Sequence, residues 1–423
     1  MMRYLRTTWI GLIVAAANAV AAPPPAISLV PPASSSLLTP EYFGIHVHNT
    51  GPVRRWPDIP AGSLRLWDSR VAWANLEPRQ GRWDFSRLDE FVSWAESRRM
   101  EILLPLGVTP RWASARPDEA GAYGAGLAAE PANIEHWRNY VRTVAERYRG
   151  RVGAYEIWNE ANIKNFYSGS IDTLAQLTIA AAEEIRRADP AARIVAPSGV
   201  GLDSRVEWPS QILAAGVASV VQAASFHIYH GAAPPESMID PLRKLKAFNK
   251  AAGFDAMPMW NTEFGYWMSN EHEKWDGGER RNEMSEQTVA DYLPRDLLLA
   301  AALGFQRFYW YSWDNTKMGL IDPTTSSRRR AASVYAQAIE SLSGAKLESC
   351  IRNAIGLWTC KLQAANGAHL LALWTDPGAA EPVQTVSPAV RGKWVRLDGV
   401  STWAPQPAEL KIVSVVTLVT DAK

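Results

Sequence analysis

The sequence predicts an α/β fold, a (β/α)8 TIM barrel followed by a small C-terminal β-sandwich-like domain. Eight short, nearly continuous apolar segments alternate with segments of helical periodicity between residues 41 and 344. That is the pattern of a parallel sheet buried on both faces. From about Ala345 short alternating strands take over, at Leu357 to Leu362, His369 to Trp374, Trp394 to Leu397 and Ile412 to Val419. They read as a separate β domain over 345–423. An open doubly wound sheet is the alternative, but no Gly-rich phosphate turn follows the first apolar segment.

Taken in order, residues 1–22 read as a signal peptide. Arg3 and Arg6 give a positive start, Trp9 to Ala17 a short apolar core, and Ala19-Val20-Ala21 small residues at cleavage spacing. The apolar run is short for a membrane span, so export with cleavage near Ala21 is expected, to a secreted or periplasmic location. Residues 23–40 are rich in Pro and Ser and read as a linker or extended arm. The first barrel strand is expected at Phe43 to His48 and the second at Ser63 to Trp67. Phe85 to Arg99 carries helical spacing at Leu88, Phe91, Val92 and Ala95. A third strand, Glu101 to Gly107, precedes a helix over Ile134 to Tyr148, and a fourth begins at Tyr155. The helix from Ile171 is stopped by Asp189-Pro190. Strands follow at Arg193 to Pro197, Ala223 to Tyr229, Met259 onward and Arg307 to Trp313, with helices between them and a last one over Arg328 to Leu342.

Composition limits the partners. Lys+Arg is 44 and Asp+Glu is 43, a net charge of +1 that becomes −1 without Arg3 and Arg6. Such a balance gives no electrostatic case for nucleic acid or an anionic membrane. Nineteen tryptophans are many for this length. Indole faces pack against the C–H faces of sugar rings, so part of this surplus fits a carbohydrate cleft. The only two cysteines, Cys350 and Cys360, are expected to form a disulfide across a hairpin in an exported chain.

Two segments about a hundred residues apart share one design. Tyr155-Glu156-Ile157-Trp158-Asn159-Glu160 and Met259-Trp260-Asn261-Thr262-Glu263 each end a strand on a glutamate, with an amide and aromatics nearby. Chemistry in barrels sits at strand C-terminal ends, and a pair of carboxyls is what glycoside hydrolysis requires. Counting strands puts Glu160 at the end of the fourth and Glu263 at the end of the seventh. With this placement, Trp158-Asn159-Glu160 and Thr262-Glu263 resemble clan A glycoside hydrolases, and family 39 among them, including bacterial polysaccharide-cleaving members.

The resemblance implies that Glu160 is the acid/base and Glu263 the nucleophile of a retaining β-glycoside hydrolase. Two carboxyls about 5 Å apart do not both ionise readily, so one keeps its proton for the leaving oxygen. Arg65 is a candidate to stabilise the anion and Asn159 to bond a sugar hydroxyl. Tyr229 is placed to donate to Glu263, and His227 to tune the acid/base. Trp313 is the candidate sugar platform. One of His46 and His48 is expected to touch sugar or pack beneath the site. Trp67, Trp112, Trp158, Tyr123, Phe166, Tyr167 and Trp267 are candidates to line an extended cleft, and Asn270 to Gln287 to form a wall or lid. Glu156, four residues before the tip, is expected to be a buried, partnered carboxyl. A poly- or oligosaccharide substrate, a monomeric chain and no cofactor or metal are expected.

Two other classes stay open on sequence. His46-Val47-His48 is also how metal-dependent amidohydrolase barrels begin, with Glu160, His227 and Asp314 as further ligands. The strand Arg193 to Pro197 has no histidine, and this reading leaves Glu263 and the tryptophans unexplained. A non-catalytic carbohydrate-binding barrel is the other, although both glutamates are present.

Overall fold

The computed structural model describes residues 26–48, 55–268, 283–322, 324–376, 383–386 and 392–421. The expected signal peptide and all but the last few residues of the expected wall or lid lie outside the described residues. Eight parallel strands form the barrel: β1 (Phe43–His46), β2 (Ser63–Arg65), β3 (Glu101–Leu106), β4 (Ala154–Ile157), β5 (Arg193–Val195), β6 (Ala224–His227), β7 (Met259–Phe264) and β8 (Phe305–Trp310). Sequential strands pair, β8 pairs with β1, and a parallel bridge between Val195 and Ala223 joins β5 to β6. The sheet is therefore closed. The strands are buried along nearly their whole length, which explains why they read as continuous apolar runs.

The helices bury the faces their spacing marks out. Ser86–Arg98 packs Leu88, Phe91, Val92 and Ala95 inward, each large apolar side chain contributing about 1.5–3 kcal/mol. Asn133 caps Ile134–Arg147 by accepting from the Glu135 N–H, and Ser170 caps Ile171–Ala188 by accepting from Thr173, satisfying donors that a helix start leaves open. The last two helices are Glu286–Ala302 and Arg330–Leu342.

The tail is an antiparallel sheet built on Lys346–Arg352, Leu357–Gln363, His369–Thr375, Thr417–Thr420 and Lys393–Arg396, with a small pair, Gln384–Val386 and Leu410–Ile412, packed against it through Leu373, Leu410, Ile412 and Val419. One of its edge strands is Ile27–Leu29, which pairs antiparallel with Arg352 to Cys350. The Pro/Ser-rich arm is thus built into the tail domain. Cys350 and Cys360 face each other in register across adjacent strands and are joined by a disulfide. The tail rests on the barrel: Trp374 donates its indole N–H to Glu236, and Gln337 donates to the carbonyls of Arg396 and Ser401.

Candidate active site

The strands deliver their polar residues to one mouth, at their C-terminal ends. β4 ends at Ile157, and the chain then turns sharply. Trp158 and Glu160 both take left-handed backbone, φ 71° and 46°, a conformation that costs non-glycine residues about 1–3 kcal/mol. The turn is held by Ser198, whose hydroxyl accepts the Glu160 N–H at 3.0 Å. Glu160 therefore stands just beyond its strand. Glu263 lies inside β7. There Phe308 pairs with Asn261 and Trp310 with Phe264, so Thr262 and Glu263 oppose one residue of β8. Such a bulge turns consecutive side chains toward one side, so Glu263 reaches the barrel mouth while Thr262 packs beneath it against Glu156 and His227.

A carboxyl oxygen of Glu160 lies within 4.8 Å of one of Glu263. Their partners differ. Glu263 receives Nη1 of Arg65 on Oε2 and the hydroxyl of Tyr229 on Oε1, both at 2.9 Å. Glu160 Oε1 faces Nδ1 of His227 at 2.9 Å. Arg65 is wholly buried. It also donates through Nε and Nη2 to Oε2 of Glu156, and through Nη2 to Oδ1 of Asn159 at 2.6 Å. Because its oxygen faces the guanidinium, Asn159 has its NH2 left for a ligand. Glu156 is also wholly buried and accepts the hydroxyls of Ser225 and Thr262, so it is the partnered carboxyl expected from the sequence.

Burial raises both catalytic-candidate carboxyls, Glu160 and Glu263, to about 7, and the charge of Glu160 adds to the rise at Glu263. Near neutrality the pair thus holds one proton. Two donors on Glu263 favour its anion, which leaves the proton to Glu160. Burial pushes His227 down to about 4, so its ring is neutral at pH 7. Burial and the charge of Glu263 hold the Tyr229 phenol well above its usual range, and it remains a donor.

A cavity of about 460 Å³ opens over the pair. Asn159, Glu160, Tyr229 and Glu263 line it, with Trp67, Asp68, Tyr123, Phe166, Tyr266, Trp267 and Tyr311 as walls. Of the aromatics expected in a cleft, Trp67, Tyr123, Phe166 and Trp267 are there, whereas Trp112, Trp158 and Tyr167 pack elsewhere. Arg65 and His227 are fully buried and do not line the cavity. They act on it through Glu263, Asn159 and Glu160 and not as lining residues.

Trp313 is not the platform. It is fully buried and donates its indole N–H to the Arg55 carbonyl at 2.7 Å. Tyr311 takes that wall instead, its hydroxyl bound to Asp68 Oδ2 at 2.5 Å. Of the two outcomes expected for His46 and His48, touching sugar or packing beneath the site, His48 shows the second. It is buried behind Tyr311, ring centroids 4.8 Å apart, and its backbone N–H donates to Asp314. Asp68, Tyr266 and Tyr311 are among the lining residues that sequence reasoning missed. Asp68 directly follows Trp67, the end of the predicted second strand, and that adjacency is the signal that was available.

Among the described residues the one gathered His/Asp/Glu set is Glu160, His227 and Glu263. His46 instead bonds the Thr262 carbonyl at 2.9 Å, and His48 lies behind Tyr311. The five ligands expected for an amidohydrolase do not converge. In the set that does, Glu263 already has a guanidinium on one oxygen and a phenol on the other, a poor setting for a cation.

Barrel, paired carboxyls and aromatic walls together resemble the architecture of clan A glycoside hydrolases. Comparison agrees. Residues 68–268 match the model of Glycosyl hydrolases family 39, and the chain resembles that family. It is 23% identical to a beta-xylosidase of Geobacillus stearothermophilus over 43% of this chain. The match spans 41% of that curated relative's length. The fold is that of a family 39 glycoside hydrolase from Bacteroides cellulosilyticus WH2, with TM-score 0.68 at 15% identity over 92% of this chain and 82% of the other. A monomeric beta-xylosidase from Caulobacter crescentus CB15 superposes with TM-score 0.59 at 15% identity over 89% and 98%.

Proposed function

We propose that this chain is a retaining β-glycoside hydrolase that cleaves a poly- or oligosaccharide by double displacement, with Glu263 as nucleophile and Glu160 as acid/base. One observation carries the reading: two carboxyls within 4.8 Å, one held by Arg65 and Tyr229 and the other by a neutral imidazole. Retaining enzymes hold their carboxyls about 5–5.5 Å apart, and inverting ones about 6.5–9.5 Å, to admit a water.

In the first step a carboxylate oxygen of Glu263 forms a bond to the anomeric carbon as the glycosidic C–O bond breaks. The proton of Glu160 goes to the departing oxygen. Arg65 and Tyr229 hold Glu263 in place, and their bonds readjust as its charge is spent. In the second step Glu160, now a carboxylate, takes a proton from water, and the water oxygen displaces Glu263. Two inversions give net retention. The family resemblance and the two beta-xylosidases among the similar proteins make a β-xyloside the first substrate to test. The walls of Trp67, Tyr123, Phe166 and Tyr311 suit a sugar ring of any configuration.

The chain works as a monomer outside the cytoplasm in this proposal. The positive start with its apolar core supports export, and so does the disulfide. N-terminal sequencing of the mature protein and light scattering check both points.

The test is a panel of aryl β-glycosides with activated leaving groups. Glu263→Gln is expected to abolish turnover. Glu160→Ala is expected to keep turnover of activated aglycones, which need little protonation, and to yield a glycosyl azide when azide is added. Equal loss in both variants, with no azide product and intact folding, contradicts these roles.

A further inference from the structure

Beneath the two catalytic carboxyls lies a hydrogen-bonded chain that the double displacement does not itself require. It runs from Glu156 on β4, through Ser225 on β6 and Thr262 on β7, to His227 on β6 and so to Glu160. Thr262 Oγ1 lies 2.8 Å from Glu156 Oε1 and 3.1 Å from His227 Nε2, and His227 Nδ1 lies 2.9 Å from Glu160 Oε1. Ser225 Oγ is 2.6 Å from both Glu156 Oε1 and Thr262 Oγ1. All four supporting side chains are essentially closed to solvent.

Hydrogen counting constrains this chain. Glu156 faces the Arg65 guanidinium through Oε2 and is an acceptor on Oε1. Ser225 and Thr262 have two hydrogens for their three contacts with each other and with Glu156 Oε1, so Thr262 commits its one hydrogen to Glu156 or to Ser225. What Thr262 then shows His227 is a lone pair. His227 must place its ring hydrogen on Nε2, and Nδ1 is bare. A bare nitrogen 2.9 Å from Glu160 requires a donor, and only the protonated carboxyl supplies one.

We infer that Thr262 is a positioning residue that fixes the Nε2–H tautomer of His227 and thereby keeps the acid proton on Glu160. Glu156 acts through it, and its pairing with Arg65 links the same chain to Glu263. Other charged or titratable groups that act on Glu160 are Arg65, Asp68, Arg205, Glu263, Tyr229 and Tyr311. None of these touches His227 Nε2 among the hydrogen bonds of the site, so removing the Thr262 hydroxyl isolates this one route.

The inference rests on the glycosidase proposal for its consequence and on geometry alone for its proton positions, and two readouts separate them. The first is 15N NMR of histidine-labelled protein at pH 6, with His227 assigned by loss of its signals in His227→Gln. Wild type is expected to show protonated Nε2 and bare Nδ1. Thr262→Ser, which keeps the hydroxyl, and Ser225→Ala, which leaves Thr262 bonded to Glu156, are expected to keep that tautomer. Thr262→Val is expected to lose it. The second is the pH profile of kcat/KM on the best aryl β-glycoside. In Thr262→Val the ring can turn an Nδ1–H toward Glu160 and favour its anion, so the basic limb moves down by about one pH unit. Thr262→Ser keeps the wild-type limb. A folded wild type that turns over no aryl glycoside refutes the glycosidase proposal while the NMR still decides the tautomer. Protonated Nδ1 in wild type overturns the inference, and if Thr262→Val does not fold, the wild-type spectrum is sufficient. A folded Thr262→Val with unchanged tautomer, or with lower kcat and an unmoved limb, also overturns it.

Discussion

Tyr229 donates its hydroxyl to Oε1 of Glu263 at 2.9 Å, on the oxygen that Arg65 leaves free. The nucleophile candidate therefore has a donor on each oxygen. Tyr229→Phe removes one donor with little change of shape. It is expected to lower kcat about 10²-fold, the order found for loss of one preorganised donor, with a smaller change in KM. Steady-state kinetics on an activated aryl glycoside check this, and an unchanged kcat would remove Tyr229 from the machinery.

Arg65 holds Glu156, Glu263 and Asn159 together in a fully buried position. Arg65→Met leaves two buried carboxyls without their cation. Breaking such a pair costs about 3–5 kcal/mol, so both activity and thermal stability should fall steeply. Loss of activity with an unchanged melting temperature would contradict the network.

The pH dependence of stability follows from Glu160. Burial raises its carboxyl from 4.5 to about 7. Between these values the folded chain holds a proton that the unfolded chain has released, so this group's contribution to stability is lost as pH rises through the window. Glu160→Gln has no charge to bury, and its amide can still donate to His227 Nδ1. At pH 8 the variant should be more stable by up to about 3 kcal/mol, with the gain shrinking toward pH 4.5. Calorimetry across that range is the check; a gain that grows on acidification has the wrong sign for this cause.

Trp313 and Asp68 separate packing from binding. Trp313→Phe is expected to cost stability, through the lost bond to the Arg55 carbonyl and a packing defect. Asp68 touches Tyr123 and Tyr311 and lines the cavity, so Asp68→Ala is expected to raise KM or lower kcat with modest change in stability. The opposite pattern would restore Trp313 as a sugar contact.

Much of this was legible in the sequence because burial on both faces leaves a direct signature. The eight apolar runs are the eight strands, and Glu160 and Glu263 line one cavity from the fourth and seventh of them, as strand counting expects. Cys350 and Cys360 pair because their strands put them opposite each other. What sequence did not show depends on side-chain direction. Tyr311 and Trp313 lie on the same segment, and a turn after Trp310 sends the first into the cavity and the second under it. The bulge at Thr262 and Glu263 breaks the period of two, so their shared side was not readable. The arm at Ile27–Leu29 looked like a linker because its neighbours are Pro and Ser, while its pairing partner lies more than three hundred residues away.

Retention by double displacement is tested most directly by the stereochemistry of the first product. A substrate from the aryl β-glycoside panel is followed by proton NMR at high enzyme concentration, before mutarotation proceeds. Carboxyl oxygens within 4.8 Å of each other fit the short separation of retaining enzymes and not the wider one in which a water stands between base and sugar, so the β anomer should form first and the α anomer only later. An α anomer at the earliest time points would contradict both the covalent intermediate on Glu263 and the roles assigned to the two glutamates.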